Sequence, residues 1–182
     1  MTNIVGIVGS LRKSSYNRAL MNAFIKQAPS EVSIHVAEIS DLPFYNEDVE
    51  ENAIPETVQG LKNKIEVADA VIIATPEYNR GTSGVLKNAI DWLSRPSGQN
   101  SLKEKLVLII GASTGARGAD VAQYDLKRTL LYMNARVMGQ PEFFLGLAKE
   151  KFDDEGNLID ETTAKHINKA LEALLEMVDL KK

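Results

Sequence analysis

Gly9-Ser10-Leu11-Arg12-Lys13-Ser14-Ser15-Tyr16-Asn17 joins two unlike patterns. Behind it lies a short apolar run, Ile4 to Val8. Ahead of it Leu20, Ala23 and Phe24 recur at the spacing of one helix face. A buried strand ends, a polar loop turns and a helix begins. The first N–H groups of such a helix have no partner within it, and its dipole is positive at that end. The junction therefore favours an anion. Ser10, Ser15 and Asn17 add neutral donors, and Arg12 adds a fixed fork of charged ones. The stretch reads as a phosphate cradle. It reads equally as a capped helix start, with Ser14 or Ser15 as N-cap and Arg12 in solvent.

Downstream, the alternation of strand and helix continues. Val32, Ile34 and Val36 alternate with Ser33 and His35, as in a strand with one wetter face. Ser40 to Ala53 reads as a loop with an acidic run. Pro55 fits the first turn of a helix on which Val58, Leu61, Ile65 and Ala68 share a face. Ala70–Thr75 is a second buried strand, followed by the polar loop Pro76 to Gly84 and a helix from Val85 to Leu93. Leu106–Ile110 is a third buried strand, followed by the loop Gly111 to Gly118 and a helix from Asp120 to Met133. A weak strand near Arg136–Met138 is cut off by Pro141. Asp153–Gly156 is a turn, and Ile167, Ala170, Leu171, Leu174, Leu175 and Val178 stripe a last helix.

This pattern predicts α/β architecture: a parallel sheet with helices on both faces. The alternating second strand and the weak fifth suit edges; the apolar first, third and fourth suit the centre. The order 2-1-3-4-5 satisfies this and is the flavodoxin-like, three-layer α/β/α arrangement of five strands, taken here as one domain over residues 1–182. In that order the polar loops after the first, third and fourth strands converge on the crevice at the switch point.

Composition narrows the class. The chain has 182 residues, 44% of them apolar, and a formal charge of −4, which argues against a nucleic-acid partner. It contains no cysteine, so disulfides, thiolate metal sites and cysteine nucleophiles are excluded. No apolar run is long enough to span a bilayer, and the chain enters its first strand with no signal-peptide pattern, so a cytoplasmic protein is expected. The loops carry no Ser-His-Asp set and no metal-binding carboxylate cluster, and His35 and His166 lie away from them. With no acid–base machinery at the crevice, a cofactor is expected to carry the chemistry, held by backbone groups of the second and third loops. The Walker and GxGxxG patterns are absent after the first strand, and no acidic residues stand where a phosphoacceptor needs them.

Gly9-Ser10-Leu11-Arg12 with Ser15 and Asn17, then Thr75-Pro76-Glu77-Tyr78-Asn79, then Leu86-Lys87-Asn88-Ala89-Ile90-Asp91-Trp92 resembles the NAD(P)H-dependent FMN reductase family. Gly111-Ala112-Ser113-Thr114-Gly115, Ala122-Gln123-Tyr124 and Pro141-Glu142-Phe143 are similar to its quinone and chromate reductase branch; azo-dye reductases belong to the same group. The resemblance implies FMN as cofactor and NADPH or NADH as donor. It implies that Ser10, Arg12, Ser15 and Asn17 bind the phosphate, that Pro76, Glu77, Tyr78 and Asn79 border the isoalloxazine, and that Ser113, Thr114 and Gly115 meet its far side. A quinone-like molecule is the expected acceptor, reached by ping-pong turnover. The alternative is an FMN-binding electron carrier or redox sensor without turnover. A homodimer or homotetramer is also expected: Trp92 and the aromatics of Leu42-Pro43-Phe44-Tyr45-Asn46 offer apolar surface, and members of this family commonly pair.

Overall fold

The computed structural model describes residues 1–180. Its strands and helices follow in the order β1 (Thr2–Val8), α1 (Tyr16–Gln27), β2 (Val32–Ala37), α2 (Glu47–Asn52), α3 (Glu56–Val67), β3 (Ala70–Ala74), β4 (Glu77–Tyr78), β5 (Gly81–Thr82), α4 (Gly84–Leu93), β6 (Leu106–Ala112), α5 (Asp120–Tyr132), β7 (Arg136–Val137), β8 (Phe143–Leu145) and α6 (Glu161–Asp179). The main sheet runs β2-β1-β3-β6-β7, all pairs parallel. This is the expected flavodoxin-like order.

The period of two splits each apolar run between two cores. Ile4 and Val8, Ala70 and Ile72, and Leu106 and Leu108 face α1 and α6, where Leu20, Phe24, Leu171 and Leu174 close the layer. Val5 and Ile7, Val71 and Ile73, and Val107 and Ile109 face the other way, against Leu61, Ile65, Leu86, Ile90, Leu126 and Leu130 of α3, α4 and α5. Both faces of the central strands are covered, which is why those runs show no polar alternation.

Four expectations change. The last place in the sheet is shared: β7 pairs β6 through Val137, the chain breaks off around Pro141, and β8 resumes the pairing at Phe143. The loop after β3 contains a hairpin, β4 on β5, whose two central residues Asn79 and Arg80 take φ of 51° and 64°. Positive φ at both positions gives the tight hairpin turn that follows strand twist. The presumed loop 40–53 holds the short helix α2. Asn46 caps it by accepting from the Asp48 N–H at 3.0 Å, and Glu47, Asp48 and Glu50 favour its positive end. Pro55 stands at the N-cap of α3, with Glu56 as first helical residue.

Trp92 also departs from expectation. Trp92, Ile90 and Leu93 are buried within their own chain. Loop 42–46 folds back over α4: Trp92 Nε1 donates to the Pro43 carbonyl at 2.8 Å, the Tyr45 ring stands edge-on to the indole at 5.0 Å, and Asn88 holds both Pro43 O (2.9 Å) and Tyr45 N–H (2.8 Å). Phe44, at the tip, remains 84% exposed.

Candidate functional site

Parallel strands β1, β3 and β6 end side by side, so the segments that leave them meet above one edge of the sheet. Gly9 ties the first to the second. Its N–H donates to Ala74 O at 2.8 Å, and its carbonyl accepts from the hydroxyl of Ser83, the N-cap of α4, at 2.6 Å. A Cβ at Gly9 would lie 2.9 Å from Leu86 and 3.1 Å from Pro76, so the close approach of these loops requires glycine.

The capped helix start is what the first loop shows. Ser15 caps α1, its Oγ accepting from the Arg18 N–H at 3.3 Å. Its hydroxyl hydrogen is still directed by rotation alone, so the cap can donate to an anion as well. Ser10 and Ser15 are buried at the base and Arg12 is exposed above them. Arg18, Arg80 and Arg117 are paired with Glu38, Glu77 and Asp120. Arg12 has no ion-pair partner among the described residues, and no carboxylate occurs between Gly9 and Asn17. Asn17 is buried; its carboxamide bonds both the N–H and the C=O of Ala112, leaving one amide hydrogen for a ligand.

In the second loop Pro76 is buried and Thr75 N–H donates to Ile110 O at 2.9 Å. The Glu77 carboxylate turns away from the crevice. It accepts from the Ala122 N–H in the first turn of α5 at 3.1 Å, so only the backbone of Glu77 is left for a ring. Tyr78 is 55% exposed on the hairpin and Asn79 forms its turn. Asp125 accepts from Thr82 N–H at 3.3 Å and so pins the hairpin to α5.

The third loop is packed from behind by the chain after β8. Ser113 N–H donates to Leu145 O (3.0 Å), Ser113 O accepts from Ala148 N–H (2.9 Å), and Gly115 O accepts from Leu147 N–H (3.0 Å). The Ser113 hydroxyl donates to Gly115 O at 3.1 Å, while Thr114 and Gly115 are exposed. Gly146 lies so close that a Cβ there would sit 2.2 Å from Ala116 O, and Gly118, at φ 63°, has room for none beside Leu145. At the rim the Arg117 guanidinium, bonded to Asp120 at 2.7 and 2.9 Å, holds that carboxyl below its ordinary range.

Sequence reasoning missed the supports. Ser83 was read only as part of a loop. Gln123 is buried and bonds Phe143 O (2.9 Å) and Gly118 O (3.3 Å), fastening α5 to β8 and the third loop. Their one sequence signal is a polar residue on an otherwise inward face. His35 and His166 are exposed, and no set of three metal-ligating side chains occurs among the described residues.

The residues fit a flavin mononucleotide. An unpaired arginine, hydroxyls and a helix N-terminus gather at one end, where a phosphate dianion needs them. Flat, glycine-containing backbone from two loops borders the other. Fold and crevice together define a flavodoxin-like, FMN-binding α/β protein. Residues 2–150 match the family model of NADPH-dependent FMN reductases, and the chain belongs to that family. It is 43% identical over 171 residues to an NAD(P)H-dependent FMN reductase of Pseudomonas aeruginosa, covering 94% of this chain and 92% of that one. It is 43% identical over 160 residues to a quinone reductase of Pseudomonas putida, covering 88% and 86%. The solved structure of FerB, a flavoenzyme NAD(P)H:acceptor oxidoreductase of Paracoccus denitrificans, superposes with a TM-score of 0.91 at 42% identity over 98% of each chain. The protein is thus an FMN enzyme that takes its electrons from NAD(P)H.

Proposed function

We propose that the protein reduces quinones and similar flat acceptors, the net reaction being NAD(P)H + H⁺ + quinone → NAD(P)⁺ + hydroquinone. The observation that carries the reading is the unpaired Arg12 above the capped start of α1, at the carboxyl edge of the sheet. The quinone reductase of Pseudomonas putida supports the acceptor class. Bound FMN supplies the hydride chemistry. Ser10, Arg12, Ser15 and Asn17 hold the phosphate; Arg12 offsets part of its charge and the other three donate neutral hydrogen bonds, beside a cavity that Asp153, Asp154 and Glu155 also line. Pro76, Glu77, Tyr78 and Asn79 offer backbone groups along one edge of the ring, and Ser113, Thr114 and Gly115 flank its far side. No side chain acts as general acid; solvent supplies the quinone's protons. The electron-carrier alternative has no support among the relatives, which are named as reductases.

Donor and acceptor use one open ring face, which makes the kinetics ping-pong. The chain works as a single FMN-binding unit, in the cytoplasm, where its donor is regenerated. Among the described residues no helix is long and apolar enough to cross a membrane. A homodimer or homotetramer covers Phe44, exposed on a loop pinned by Asn88 and Trp92. Nucleic acid is no partner of this mildly acidic chain.

Steady-state oxidation of NADPH and of NADH with a benzoquinone tests the activity. Parallel double-reciprocal lines are expected, intersecting lines overturn the shared face, and a heat-released chromophore that is not FMN overturns the cofactor assignment. Sedimentation at micromolar protein tests the oligomer; a fully active monomer rules it out.

A further inference from the structure

Asn17 is more engaged than a phosphate donor needs to be. The β3–β6 pairing ends with Ala74 opposite Ile110 and a last bond from Thr75 N–H to Ile110 O at 2.9 Å. The chain then leaves the sheet at Pro76. Two residues further on, Ala112 is met by the Asn17 side chain: Nδ2 donates to Ala112 O and Oδ1 accepts from Ala112 N–H, both at 3.0 Å. The carboxamide thus docks on the end of β6 as a short extra strand would. Asn17 and Ala112 are each 4% exposed, so the two bonds are shielded from water and strong. Asn17 is the second residue of α1, at the floor of the phosphate cradle. Ala112 immediately precedes Ser113, on the ring side of the crevice. One side chain therefore fixes the distance between the two ends of the site.

We propose that Asn17 is a positioning residue that couples the phosphate end of the crevice to the ring end, so that its loss weakens binding even of a flavin without a phosphate. This rests on the reading of the crevice as the FMN site. A residue serving the phosphate alone acts only on FMN. A clamp on Ala112 sets the place of the Ser113–Gly115 backbone and acts on riboflavin too.

The test is titration of flavin-free protein with FMN and with riboflavin, followed by quenching of flavin fluorescence, for the wild type and for Asn17→Ala, Asn17→Asp and Arg12→Ala. Asn17→Asp has the wild-type shape and keeps the acceptor for Ala112 N–H while losing the donor to Ala112 O, so it serves as a second variant beside Asn17→Ala, each checked for folding by its circular dichroism. Arg12→Ala is expected to lower FMN affinity about tenfold to a hundredfold and leave riboflavin unchanged. Both Asn17 variants are expected to lower riboflavin affinity at least about fivefold and FMN more. The visible band of the bound flavin, a report on the ring's surroundings, shifts in Asn17→Asp and not in Arg12→Ala. In the flavin-free protein, amide exchange speeds up at Ala112 while Ile109 keeps its rate. Wild-type riboflavin affinity and an unshifted band in Asn17→Asp overturn the coupling and leave the FMN site standing. A wild type that binds neither flavin overturns the site itself, and the proposal with it.

Discussion

The two ends of the crevice are built on opposite plans. The end proposed for the phosphate is local: Ser10, Arg12, Ser15 and Asn17 lie within eight consecutive positions and offer side chains. The end proposed for the ring is assembled from backbone of two distant loops, and its shape is held from behind. Glu77 reaches Ala122, Asp125 reaches Thr82, Gln123 reaches Phe143, and residues 145–148 bond Ser113 and Gly115. A local site fails when its contact residues change. An assembled site also fails when residues that touch no ligand change.

That contrast is sharpest at Gly146, which packs against the back of the third loop at Ala116. Gly146→Val forces a side chain onto Ala116 O, a backbone atom that cannot swing aside. We expect a loss of about 3 kcal/mol of stability, typical of severe overpacking, and flavin-poor protein; thermal melting and flavin content report both. Wild-type flavin content in a folded Gly146→Val protein would show that the third loop is not held from behind.

The phosphate end should be broken by its contact residues in order of charge. Arg12→Ala removes hydrogen bonds to a charged group, each worth roughly 1.5–3 kcal/mol, and FMN affinity should fall accordingly while the melting temperature of the flavin-free protein stays put. Equal FMN titrations for Arg12→Ala and wild type would make Arg12 a solvated surface residue. Ser15→Ala should weaken FMN less, and should also cost about 1 kcal/mol of stability, because Ser15 caps α1. A stability loss larger than the binding loss would mean that the cap matters more than the cradle.

The smallest expected effect lies outside both ends. Asp160 caps α6, accepting from Thr163 N–H at 2.8 Å and Oγ1 at 2.6 Å, and pairs with Lys151 at 2.9 Å. Its bonds from Thr163, then from Lys151, hold its carboxyl down to about 2. A depressed carboxylate stabilises the fold above its ordinary value of about 4, and that contribution is lost as pH falls from there toward 2. Melting curves across this range should be flatter for Asp160→Asn, with FMN affinity at neutral pH unchanged. A drop in that affinity would connect α6 to the crevice after all.

The form of the first loop was legible because it is contiguous: strand, loop and capped helix start follow one another. The strand order was legible because burial on both faces leaves continuous apolar runs while an edge leaves alternation. The hairpin at Glu77–Thr82 was not, because Asn79 and Arg80 show no glycine where φ is positive. Helix α2 was missed because it buries no residue and so carries no apolar face to read. Trp92 was misread because an indole that fills its own fold and one that meets a partner look alike in a sequence. The Pro43 carbonyl, 49 residues away, decides between them.

By itself the sequence determined the layering, the order of the strands and the capped start of the first helix, since each depends on near neighbours and on the periodicity of burial. Only the tertiary structure decided which polar side chains face a ligand and which brace the loops that do. Glu77 and Asn17 carry the same groups in either role. Their hydrogen-bond partners are backbone atoms tens of residues away, and a backbone amide is the same at every position until the fold brings one within reach.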